Sequence, residues 1–169
     1  MKGIPPAIIL ALSTAIAGAA WGHGGDSNKA NNKPAQTAAE TAFGKPGDPK
    51  KVTHTINIDM RDAMEYLPNG LRLKAGDTVK FVVRNSGRMM HELVLGTMED
   101  LKEHAELMRK NPGMEHDEPY MAHVAPGKTQ TIVWQFTRPG AFYYGCLVPG
   151  HFEAGMVGIV RVLADVGAK

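Results

Sequence analysis

The feature that most constrains this chain is a side-chain period of two that begins at Val52. Val52, His54, Ile56, Ile58 and Met60 alternate with Thr53, Thr55, Asn57 and Asp59. Successive side chains of a strand point to opposite faces, so this pattern buries one face and solvates the other. Further short strands are expected at 71–74, 78–84, 91–95, 128–136, 141–145 and 156–163, with Val79, Phe81 and Val83 on one face and Ile132, Trp134 and Phe136 on another. Turn residues punctuate them, as in Ala75-Gly76-Asp77 and Asn85-Ser86-Gly87. The period changes once. Thr97 is placed to cap a helix with Glu99 and Asp100 in its first turn. Met98, Leu101, Ala105 and Met108 then recur at helical spacing until Asn111-Pro112-Gly113 stops the run. Many short alternating strands and one helix predict an all-β sandwich with a helix-and-loop insertion at about 97–127.

Residues 52–169 are therefore expected to form one domain, and 169 residues are not comfortably enough for two. The segment ahead of it divides in two. Lys2 followed by the apolar run from Ile4 to Ala20, with small residues up to Gly22, reads as a signal peptide over 1–22. Pro5-Pro6 shortens the run below what a membrane span needs, so no span is expected in the mature chain. Residues 23–51 are rich in Gly, Asn, Ala, Pro, Lys and Thr and read as a flexible linker with Phe43 as its one anchor. The expected location is the periplasm. A formal net charge of +2 gives no field that points to nucleic acid.

Export makes the single cysteine informative, because exported proteins usually pair theirs. Cys146 lies in Gly145-Cys146-Leu147-Val148-Pro149-Gly150-His151-Phe152-Glu153-Ala154-Gly155-Met156, which presents thiolate, imidazole and thioether on one tight loop between two strands. A Cys and two His in a plane with a weak axial Met is the ligand set of blue-copper sites, and His91 is the upstream candidate for the second imidazole. Taken singly, each of these residues is better explained as a buried thiol, a surface His or a core Met; taken together they point to His91, Cys146, His151 and Met156 around one copper. Zinc is the inorganic rival, but structural zinc sites rarely use a thioether.

From Val52 to the C-terminus the chain resembles the cupredoxins, the type 1 copper proteins. Gly76-Asp77-Thr78-Val79, Asn85, His91 and Cys146-x4-His151-x4-Met156 fall in that family's order. The ligand loop is similar to that of rusticyanin, and the pattern with its insertion is most similar to periplasmic cupredoxins of bacterial copper tolerance. The resemblance implies a Greek-key sandwich with copper at one end and the C-terminal His near the surface. One departure stands out: many cupredoxins follow the first His with an Asn that ties the ligand loops together, and here the position is Glu92.

Ten Met and seven His in one chain raise a second possibility. His104, Met108, Met114, His116, Met121 and His123 in the insertion, with His23 at a new N-terminus, are candidates for additional labile copper, since thioether favours Cu(I). Core packing for Met and solvation for His is the alternative for each. Phe142, Tyr143, Tyr144 and Phe152 flank the ligands, either as a dry shell and docking rim or as ordinary sandwich core. Two functions are expected of such a chain: copper handling that serves tolerance, or electron transfer through a partner docked near His151. A monomer is expected. Enzyme readings fail, since no His-x-His pair, Gly-x-Ser-x-Gly or His-Glu-x-x-His motif occurs.

Overall fold

A computed structural model describes residues 40–111, 114, 117–165 and 167. The signal-peptide reading of 1–22 and the linker reading of 23–39 lie outside these residues. Ten strands and one helix follow in chain order: β1 (Lys45–Pro46), β2 (His54–Arg61), β3 (Glu65–Leu67), β4 (Gly70–Lys74), β5 (Thr78–Asn85), β6 (His91–Gly96), α1 (Met98–Lys110), β7 (Met121–Val124), β8 (Thr129–Gln135), β9 (Gly140–Gly145) and β10 (Val157–Leu163). They form two five-stranded sheets, ordered β1-β8-β5-β2-β3 and β4-β10-β9-β6-β7. This is the expected sandwich with one inserted helix.

Strand alternation builds the core. Ile58 and Met60 of β2, Val79, Phe81 and Val83 of β5, and Ile132 and Trp134 of β8 meet Leu93 and Leu95 of β6 and Val160 and Val162 of β10 between the sheets. Strand β6 is buried at every position because it also carries the helix on its outer side. There Val94 packs with Leu101, Ala105 and Met108 of α1, Met121 of β7 and Leu147. The helix begins in a capping box, with Thr97 Oγ1 accepting from the Asp100 N–H and the Asp100 carboxylate accepting from the Thr97 N–H.

Ordered structure starts earlier than the expected boundary at residue 52. Phe43 is buried, stacks on Trp134 with centroids 5.3 Å apart, and accepts the indole N–H through its carbonyl at 3.1 Å. Strand β1 pairs with β8, and Glu40 binds Thr137 and Arg138. Residues 40–46 are therefore tied to the sheet edge and are not linker, and Pro49–Lys51 adds a single 3-10 turn. Gly44 is required for it: φ is +130°, and a Cβ would overlap the Gln135 carbonyl. Composition hid this, since one aromatic in a polar stretch supplies no period.

Candidate metal centre

Three donors converge at one end of the β4-β10-β9-β6-β7 sheet. His91 opens β6, and Cys146 follows directly on β9, its antiparallel neighbour. The ten residues after Cys146 fold back on themselves through short backbone bonds: His151 N–H to Val148 O, Met156 N–H to His151 O, and Cys146 N–H to Met156 O, at 2.9 to 3.1 Å. That closure sets His151 beside the thiol and delivers Met156 to the start of β10. Gly150 and Gly155 turn the loop at φ +90°.

Cys146 Sγ lies 3.3 Å from His151 Nδ1 and 3.9 Å from His91 Nδ1, and the two imidazole centroids are 4.9 Å apart. An ion about 2.0 Å from imidazole nitrogen and about 2.3 Å from thiolate sulfur holds those donors roughly 3.5–3.8 Å apart. The spacing fits a single metal without rearrangement. These three are the one His/Cys/Asp/Glu cluster among the described residues with donor atoms all within 4.8 Å of one another. Cys146, His91 and Met156 are fully buried, and His151 is half-buried. Met156 packs in the same core cluster as Cys146.

The surroundings set the donors' protonation. Burial pushes the Cys146 thiol up to about 11, partly offset by N–H groups of Glu92 and Val148 that donate to the sulfur, the former at 3.3 Å. Burial and the neighbouring His91 hold His151 below the ordinary imidazole range, so it is a neutral, lone-pair donor at pH 7. Glu92, in the place where the family commonly has Asn, reaches the sulfur through its backbone. Its carboxylate instead pairs across the sheet with His123 Nδ1 at 3.0 Å. The Tyr66 hydroxyl donates to the Glu92 carbonyl at 2.6 Å.

The other candidates are dispersed. Met108 and Met121 are buried in the cluster under the helix. His104 lines a cavity of about 490 Å³ with Met121, Asp100, Glu103 and Glu118. Met114 is exposed, and His123 is half-buried against Glu92. His23 and His116 lie outside the described residues. The aromatics divide between core packing and the helix face: Phe142 stacks on Phe136, Tyr144 packs edge-on to Tyr66, and Tyr143 and Phe152 cover the helix cluster. Sequence reasoning passed over Asp62, whose carboxylate Oδ1 lies 3.1 Å from His91 Nε2. Its only signal is an acidic residue in a hairpin turn, and that occurs in most proteins.

Comparison with known proteins agrees with this architecture. A profile of the copper-binding plastocyanin/azurin family matches residues 52–163. The chain is 49% identical over 124 residues to the copper-resistant cuproprotein CopI of Rubrivivax gelatinosus, covering 73% of this chain and 75% of that protein. It is 31% identical over 157 residues to the CopI protein of Pseudomonas aeruginosa, covering 76% and 86% of the two. Among solved structures, the auracyanin of Roseiflexus castenholzii superposes with a TM-score of 0.57 at 22% identity, over 66% of this chain and 98% of that one. That likeness speaks for the fold alone.

Proposed function

The chain belongs to the plastocyanin/azurin family of copper-binding proteins, and from that premise we propose that it is an exported cupredoxin whose mononuclear type 1 copper serves copper handling and tolerance. In this reading His91 Nδ1, Cys146 Sγ and His151 Nδ1 would hold the copper, with the Met156 thioether as the fourth donor. The observation that carries it is the convergence of two imidazoles and the chain's single thiol, their donor atoms all within 4.8 Å of one another. Copper held there supplies one-electron redox chemistry. The residues supply a donor set acceptable to both oxidation states, a dry environment and a half-exposed imidazole edge at His151.

Tolerance is supported by the two relatives, both named copper-resistant cuproproteins. The periplasm, residues 1–22 as its signal, a monomeric state and the lack of turnover on an organic substrate belong to the same proposal. No described helix is long and apolar enough to cross a membrane. The cavity beside α1, where His104 and Met121 face the same space, is the favoured place for additional labile copper. The second reading is an electron carrier docking a partner near His151, and the partial exposure of that imidazole favours it.

A copper titration of the full chain and of Cys146→Ser, followed by visible absorption and bound copper, tests both. The expected result is an intense thiolate-to-copper band saturating at one equivalent and absent from the variant, with further copper retained by both proteins. Saturation at one equivalent with none retained by the variant favours the carrier. A wild type without the band overturns the type 1 assignment.

A further inference from the structure

Asp62 sits in the three-residue turn between β2 and β3, on the sheet that contributes no donor to the copper centre. Its Oδ1 nevertheless lies 3.1 Å from Nε2 of the fully buried His91. An ionised carboxylate can only accept, so Nε2 carries a proton; in the neutral ring that leaves Nδ1 as the lone-pair donor, 3.9 Å from Cys146 Sγ. We propose that Asp62 is the positioning residue of the copper centre: it fixes the tautomer and the ring plane of His91 and strengthens that imidazole as a donor toward Cu(II). This rests on His91 being a copper ligand.

The carboxylate is itself built into place. The Arg88 N–H donates to both of its oxygens, at 2.8 and 3.1 Å, and the Met89 N–H donates to Oδ1 at 3.3 Å. The 85–90 loop that offers these groups is pinned by Asn85, whose Nδ2 donates to the Met89 and Val124 carbonyls at 2.8 Å and whose Oδ1 accepts from the Gly87 N–H. Gly87 is needed for close approach: a Cβ there would overlap Asp62 Oδ1. The turn also carries a strained residue. Met64 takes φ +59°, a left-handed conformation that costs a non-glycine residue on the order of 1 kcal/mol. It closes the turn with an N–H bond to the Arg61 carbonyl at 3.1 Å while its side chain packs against the core. Two backbone N–H groups of one loop thus converge on one carboxylate, and that carboxylate touches one proposed ligand. Such outer partners orient metal-bound imidazoles and raise their basicity, and their loss typically weakens metal binding roughly 10–100-fold.

The test compares the full chain with Asp62→Ala, Asp62→Asn and Gly87→Ala. Cu(II) and Cu(I) affinities are measured by competition, reduction potential by voltammetry, and the His91 tautomer by ring 15N shifts in chelator-treated protein. In Asp62→Ala the Cu(II) affinity should fall roughly 10–100-fold. Cu(I) affinity should fall less, raising the potential by about 59 mV per tenfold change in their ratio. Asp62→Asn keeps an acceptor oxygen without the charge and should lie between the two. Gly87→Ala displaces the carboxylate without altering it and should follow Asp62→Ala; both it and Asp62→Asn keep the question open to test if the alanine variant fails to fold. The His91 ring should lose its single Nε2–H tautomer in Asp62→Ala. A folded set of variants with unchanged tautomer and a Cu(II)/Cu(I) ratio within twofold of wild type would overturn the proposal. A wild type without a thiolate-to-copper band overturns the ligand assignment instead, and that result is distinguishable because it does not involve Asp62.

Discussion

Cys146 is a buried acid whose ionised form is the one a metal needs. The thiolate is the metal-binding form, yet burial raises the thiol from the ordinary 9.0 to about 11. An acid whose pKa rises on folding contributes stability below its unfolded value and loses it as pH climbs through the folded one. For chelator-treated protein the contribution is fully present below about pH 9, on the order of 2–3 kcal/mol, and is lost by about pH 11. Urea midpoints of wild type and Cys146→Ser, both measured from pH 8 to 11, should therefore diverge less as the pH rises. A constant difference would show that the thiol titrates as an ordinary exposed one. The same burial means that metal entry displaces a proton, so apparent copper affinity grows with pH across the neutral range.

At the scale of elements, the long alternating strands were legible and the short ones were not. Strands β2, β5 and β8 each give seven or eight residues of pattern, enough for the period to declare itself. Strand β3 has three residues, and β7 has four with three of them buried, so neither displays an alternation. β7 in particular lies in a Met- and His-bearing stretch that reads as loop. Strand β1 has two residues and holds its place through Phe43, which packs on Trp134 and Tyr120. Phe43→Ala should cost about 3–5 kcal/mol in chemical denaturation, the range for a buried aromatic, if residues 40–46 are integral to the sheet. A loss under 1 kcal/mol would return the segment to the status of linker. The 146–156 segment was legible as a candidate site because its thiol, imidazole and thioether are close in sequence and of rare type. Asp62 was not, because its partner His91 is 29 residues away on the opposite sheet.

On the scale of the whole molecule, the copper end is where the two sheets are tied by polar bonds. Asp62 reaches His91, Tyr66 Oη donates to the Glu92 carbonyl, and Tyr144 Oη donates to the Pro68 carbonyl at 2.7 Å. A metal held between β6 and the β9–β10 loop draws on this frame and stabilises it in return. Ligand at about 100 times its Kd stabilises a fold by about 2.7 kcal/mol, which for a domain of this size raises Tm by roughly 10 °C. Calorimetry of copper-loaded and chelator-treated protein should show that rise in the wild type and a smaller one in Cys146→Ser. The ligand loop sets a limit to the gain. Cys146, His151 and Met156 follow one another at intervals of five residues, while His91 is 55 residues upstream of the cysteine. Bringing the first three together needs only the closure of a short loop, a small entropic step. On the proposed ligand set, a chain that has not yet folded thus already holds three of the four copper donors within one short segment, and folding then has one distant imidazole left to bring to them.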